Sequence, residues 1–298
     1  MSTEDFVMVG QILRDFSRFP FLSDRLHQGM LEWTLLMRAM HRRFPTMADP
    51  TMRGIRVNTD ERFYSGISQG GIFGATYVAV SPDITRGHFG VPGLNYSTLL
   101  QRSGDFTLYF NTLRMSYTDS RDHAVLLSLA EIFWAQIDPI SYVRHLTAEP
   151  FAGLPRHYGL WAPAKGDHQV SPVTDEVMAR SSIDVPVMVP YDFGPMGRTP
   201  DFATTAMYPR RGSGIVVWDL GNPWQPAGNR TFTPEEEMMF PDPHGRLRNL
   251  HAWHTRQMVH FFRGRPMNEA PEIMDVCNGQ ACAFTNCFGD PAQCMPRF

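Results

Sequence analysis

Residues Gly66-Ile67-Ser68-Gln69-Gly70 read Gly-x-Ser-x-Gly, and this stretch limits the chain more than any other. The spacing predicts a short strand over 62–64, a sharp turn at Ser68 and a small-residue helix over 71–80. A serine on such a turn sits in a strained backbone conformation. Its hydroxyl projects above the sheet edge over a helix N-terminus. Small residues are needed two positions to either side, where the turn leaves no room for Cβ atoms. Strand, turn and helix in that order commit the chain to an α/β fold with its chemistry at a strand's carboxyl end.

The rest of the pattern agrees. Further strands are expected at 86–91, 157–162, 185–189 and 214–220, with helices at 173–180 and 249–263. Strands alternating with helices imply a mostly parallel sheet with helices on both faces. The block 94–150 is helical and aromatic, which suggests a cap inserted between two strands. Residues 190–212 and 221–243 are rich in proline and glycine and are expected as loop. Before the serine, 4–18 reads as a helix with Phe6, Val9, Leu13 and Phe16 on one face. A second helix, 23–43, carries a stripe of Leu26, Met30, Trp33, Met37, Met40 and Phe44. That stripe fits a core-packed helix better than a partner groove. The domain division that follows is a core of 1–93 with 151–265, a cap of 94–150 and a tail of 266–298.

The chain has 298 residues, 43% hydrophobic, with a formal net charge of -3. That is enough for one sizeable core. The balance gives no general attraction to nucleic acid, and no apolar run is long enough to span a membrane. Cys277, Cys282, Cys287 and Cys294 all lie in the tail. They are disulfide candidates, with Cys277–Cys282 and Cys287–Cys294 the expected pairing. A four-thiolate zinc site and free thiols are the alternatives.

A serine hydroxyl needs a neutral imidazole to take its proton and a carboxylate to orient that imidazole. Asp167 follows the 157–162 strand and is the candidate carboxylate. Its competing role is a turn aspartate that caps its own backbone. His244, in Asp242-Pro243-His244-Gly245, is the candidate base, with His168 its main rival. His251, His254 and His260 fall on the last helix and are assigned packing roles. The backbone N–H of Gln69 is the candidate oxyanion donor. Phe106, Tyr109, Phe110 and Trp134 are candidates for an apolar substrate pocket.

In these motifs and in the chain order Ser68, Asp167, His244, the sequence resembles the α/β-hydrolase superfamily, over roughly 60–263. Gly66-Ile67-Ser68-Gln69-Gly70-Gly71 is similar to its nucleophile elbow. Gly166-Asp167-His168-Gln169-Val170 is similar to its acid loop, and Asp242-Pro243-His244-Gly245 to its histidine loop. Within the superfamily it most resembles bacterial hydrolases with a short cysteine-bearing tail. The resemblance implies a serine hydrolase acting on small-molecule carboxylic esters, with no metal or organic cofactor. Peptide, amide or thioester cleavage and a non-catalytic binding role are the alternatives. The family places further strands before its elbow, and these carry a loop that gives a second oxyanion donor. The chain is therefore expected to be the C-terminal part of a longer hydrolase, exported if a leader precedes it and cytoplasmic otherwise.

Overall fold

In the computed structural model the described residues are 3–44, 57–190, 201–226 and 230–297. Six strands form a parallel sheet. In chain order they are β1 (Phe63–Ile67), β2 (Arg86–Gly90), β3 (Tyr158–Ala162), β4 (Val187–Met188), β5 (Thr204–Thr205) and, after the two-residue β6 (Arg210–Arg211), β7 (Gly214–Ile215). Their spatial order is β1-β2-β3-β7-β4-β5. The register sets Ile67 beside Gly90, and Gly90 beside Ala162, so three strands end level. Among the described residues β1 is an edge strand. No described helix is long and apolar enough to cross a membrane.

Among the described residues there are ten α-helices, of which four cover this sheet. On one face lie α3 (Gln69–Val80), α7 (Val143–Thr147) and α8 (Val173–Ser181). Helix α3 has little polarity on any side, and eight of its residues are buried. Such a helix is stable only inside a core. Here Ala75, Val78 and Ala79 pack with Val143, Leu146, Met178, Phe89 and Trp161. The other face is covered by α10 (Arg256–Arg263), which follows a π-helical turn at His251–Thr255. Phe261 and Phe262 pack there with Leu160, Val216 and Trp218.

The inserted block supplies α4 (Tyr96–Leu100), α5 (Thr107–Ser116) and α6 (Ser120–Trp134). Asp138 ties its ends together. Its buried carboxylate accepts hydrogen bonds from the N–H groups of Asn95 at 3.0 Å, Tyr96 at 2.6 Å and Ile140 at 2.9 Å. Helices α1 (Thr3–Arg14) and α2 (Pro20–Arg42) join this block: Ile12 and Phe19 pack with Tyr96, Leu99, Ala130 and Trp134. The first helix ends at Arg14, short of the expected residue 18. Asp15 accepts from Ser17 N–H and caps a separate 3-10 turn, Phe16–Arg18. Within α1, Phe6 faces outward. On α2, Leu26, Met30 and Met37 do pack inward. Trp33 does not: 62% exposed, it contributes its backbone carbonyl to the Tyr77 hydroxyl at 3.4 Å.

The expected strand 214–220 is two pieces, β7 and β8 (Trp218–Asp219), because β8 leaves the main sheet and pairs with the tail. The tail forms β9 (Glu272–Ile273), β10 (Cys282–Thr285) and β11 (Met295–Pro296). Strand β10 runs parallel to β8, and β9 pairs antiparallel with β6. The disulfides are Cys277–Cys282 and Cys287–Cys294. All four cysteines are buried with Trp218 and Phe284, so the tail is part of the core. The expected loops are also less irregular than their composition suggests. They contain β5, β6 and α9 (Pro234–Met239), the last started by a capping box between Thr233 and Glu236. Residues 191–200 of the first loop lie outside the described residues.

Strand β2 carries a fully buried Arg86, which forms no salt bridge among the described residues. Its guanidinium instead donates to the carbonyls of Phe262, Arg265, Pro266 and Glu269, where α10 ends and the chain turns toward the tail. The Phe262 carbonyl lies in the last turn of α10 and has no helical donor, whereas the Pro266 carbonyl also accepts from Glu269 N–H at 3.0 Å. Arg86→Met should leave the buried Phe262 carbonyl without this donor, costing about 1–3 kcal/mol of stability. A urea unfolding midpoint within experimental error of the unsubstituted protein would contradict this.

Candidate active site

Ser68 leaves β1 with φ 60° and ψ -127° and N-caps α3. A non-glycine residue rarely holds such a backbone, which costs on the order of 1–3 kcal/mol. Two hydrogen bonds clamp the turn: Ser68 N–H donates to the Gly90 carbonyl at 3.0 Å, and Ile72 N–H to the Ser68 carbonyl at 2.9 Å. Gly66 is required by close approach, since a Cβ there would lie 2.3 Å from the Gly70 carbonyl oxygen. The Tyr64 hydroxyl closes the same turn by donating to that oxygen at 2.6 Å. Gln69 N–H, in the first turn of α3, has no helical acceptor. It points where the helix dipole favours negative charge.

Asp167 lies beyond the carboxyl end of β3. The chain bridges to β8 at Ala164 and turns at Gly166, whose φ is 76°. A side chain at Gly166 would meet Asn222 and the Pro223 carbonyl at 2.5 Å, so the turn admits only glycine. The Asp167 side chain is fully buried. Its Oδ1 accepts from the N–H groups of Gln169 and Val170, each at 2.8 Å. Its Oδ2 lies 2.8 Å from His244 Nδ1. The backbone-capping and imidazole-orienting roles therefore coexist in one carboxylate.

His244 comes in after β8 and α9. Its position depends on Asp242, a residue whose role the sequence did not disclose. Asp242 Oδ1 accepts from His244 N–H at 3.0 Å and His168 N–H at 3.1 Å, and its Oδ2 accepts from Gln169 Nε2 at 2.8 Å. One carboxylate thus joins the histidine loop to the acid loop. The rival His168 is turned away and stacks on Phe232 with ring centroids 4.0 Å apart. His254 is buried, its Nε2 3.0 Å from His88 Nε2. His260 lies 3.1 Å from Glu272.

Two cavities meet at Ser68. The larger, about 720 Å³, is mostly apolar. Phe106, Tyr109, Phe110 and Trp134 all line it, together with Ser68 and Gln69. Its opposite wall is α1 and α2, through Ile12, Phe19 and Leu26, which the sequence did not indicate. The smaller, about 360 Å³, is lined by Ser68, Val91, His244, Leu247, Arg248 and His254 among others. Gln169 borders both. Ser68 and His244 both line the smaller cavity, with no hydrogen bond between them. Serine–base bonds are often long without substrate.

Burial disfavours the His244 imidazolium. The hydrogen bond and charge of Asp167, with the charges of Asp242 and Asp105, outweigh it and hold the pKa above the usual 6.5. Burial also pushes the Asp167 carboxyl up, against the hydrogen bond from His244. Asp105 belongs to the cap and lines the larger cavity. Its neighbour Gly104 donates to the His168 carbonyl at 2.9 Å, which fixes the cap to the acid loop.

The chain matches no known family model, no characterised protein and no solved structure.

Were His244 to act as a base it would have to be neutral, and its raised pKa would place the acid limb of any reaction that depends on it above pH 6.5. Asp105→Asn removes one of the charges that stabilise the imidazolium. The variant's acid limb in kcat/KM, or in the rate of Ser68 modification, should move to lower pH. A limb that stays in place or moves upward would exclude this coupling.

Proposed function

We propose that the chain is a serine hydrolase of carboxylic esters, with a fold and triad of the α/β-hydrolase type. The observation that carries this reading is the Asp167–His244 pair, 2.8 Å apart and buried, beside a serine held at positive φ on a strand-to-helix turn. Two other features support it: the order Ser68, Asp167, His244 along the chain, and the parallel strands that lead to Ser68 and Asp167. The mostly apolar larger cavity favours a hydrocarbon acyl group over a peptide or phosphate.

In this mechanism His244 Nδ1 donates to Asp167, which leaves Nε2 unprotonated toward the serine. Ser68 Oγ bonds to the ester carbonyl carbon as its proton passes to Nε2. The carbonyl π pair moves onto oxygen, and Gln69 N–H stabilises that charge. Collapse of the tetrahedral species breaks the bond to the leaving oxygen, which takes the proton from Nε2. Water then attacks the acyl-enzyme and gives its proton to His244. The carboxylic acid departs as Ser68 Oγ recovers that proton.

A fluorophosphonate probe tests the reading. The folded protein should acquire one adduct, mapped by mass spectrometry to Ser68 and absent in Ser68→Ala. Folded protein left unlabelled would reject an activated serine. Asp167→Asn should keep the fold but lower ester turnover by about 10⁴, because the asparagine favours the wrong imidazole tautomer. Undiminished turnover in that variant would remove Asp167 from the mechanism.

A further inference from the structure

The two cavities at Ser68 differ in what they can hold. We infer that the preferred substrates join an apolar acyl chain to an alcohol that bears an oxyanion, a carboxylate or phosphate, held by Arg248. This inference rests on the serine hydrolase reading above.

The first step assigns the cavities. A general acid must reach the leaving oxygen, so the alcohol lies on the side of the histidine. His244 lines the smaller cavity and not the larger one. The acyl chain therefore occupies the larger chamber, past the Gln69 N–H, and the alcohol occupies the smaller cavity.

The second step is charge. Of the residues lining the alcohol cavity, Arg248 alone carries a permanent charge. His88, partner of the cavity's His254, is fully buried, and burial and the adjacent ring hold its pKa well below 6.5. Among the described residues no carboxylate pairs with Arg248, and no ring stacks under it. Its neighbour Arg246 differs, lying over the Phe288 ring with 6.0 Å to the centroid.

The third step is position. Arg248 belongs to the 3-10 turn Leu247–Asn249, anchored by the buried Leu247. The guanidinium folds back along the histidine loop: Nη2 lies 3.6 Å from where a Cβ on Gly245 would stand. Gly245 directly follows the proposed base. An exposed guanidinium held there can form the paired N–H···O bonds that arginine makes with carboxylate or phosphate. The acyl chamber has the opposite bias. Its charged lining is Asp5, Glu32 and Asp105 with one arginine, Arg25, which pairs with Asp5. Charge on the substrate is therefore accommodated on the alcohol and not on the acyl chain.

Three decanoyl esters test this: those of 4-hydroxybenzamide, 4-hydroxybenzoate and 4-hydroxyphenyl phosphate. Their kcat/KM values are compared after correction for each ester's alkaline hydrolysis rate. At low salt at least one anionic ester should be preferred over the neutral one by about five- to tenfold, through KM. Whichever anion is preferred tells carboxylate from phosphate recognition. The preference should fall to about one in Arg248→Gln, be partly kept in Arg248→Lys, and shrink as salt rises. Equal corrected rates for all three esters, or a preference that survives in Arg248→Gln, would overturn the inference while leaving the hydrolase reading intact. Folded protein that cleaves none of the esters and takes no fluorophosphonate at Ser68 would overturn both.

Discussion

The backbone of Ser68 is the constraint on which the rest of this structure depends. A left-handed φ at a serine persists only where the surroundings leave no lower-energy alternative. Here β1 enters the turn and α3 leaves it, and both are fixed elsewhere. Strand β1 is held by five register pairs with β2. Helix α3 is buried along most of its length, so it cannot rotate to relax the turn without opening the core. Close packing makes such a core resist small displacements. The Ser68-to-Gly90 hydrogen bond then links the turn to the end of β2, so the sheet itself fixes the direction of the hydroxyl.

The acid and histidine loops lack that rigid support and use buried polar bonds instead. Asp167 receives two backbone N–H groups and the imidazole; Asp242 receives two backbone N–H groups and an amide side chain. A buried carboxylate is tolerable only when its lone pairs are satisfied. Because the bonds cross between loops, burial of Asp167 and partial burial of Asp242 are coupled to placement of the histidine. Arg86 solves the converse problem at the amino end of β2, where a buried cation satisfies carbonyls at and beyond the end of α10. In each case one side chain meets the unfilled bonds of several backbone groups.

Much of the site was legible because its signals are local. Gly66, Ser68 and Gly70 declare a turn within five residues, and Gly166-Asp167 and Asp242-Pro243-His244 declare turns of their own. The strands β1, β2 and β3 were legible for the same reason, each lying between clear turn signals. What was not legible depends on chain-distant partners. Two-residue strands such as β5 and β6 have no periodicity and exist only through the strands beside them. The break between β7 and β8 follows from pairing with Cys282 and Ala283, more than sixty residues away. Trp33 was placed on the inner face of α2 by spacing alone, whereas Thr34 and Met37 sit closer to the packed side. The α9 capping box was an available signal, outweighed by the surrounding prolines and glycines.

The N-terminal helices show why a domain division read along the chain differs from one read through the packing. Ile12 and Phe19 precede the strand that bears Ser68, yet they pack with Tyr96 and Trp134 of the inserted block. The apolar chamber is consequently enclosed by two segments that enter from opposite directions, one before the elbow and one after β2. Neither segment encloses the chamber alone, since each supplies one wall. The hydrogen bond from Gly104 to His168 joins the second wall to the acid loop, and Asp105 beside it adds charge toward His244. The position of the 94–150 block and the protonation of His244 are therefore physically linked. Any movement that widens the chamber on that side also changes the electrostatic environment of the imidazole.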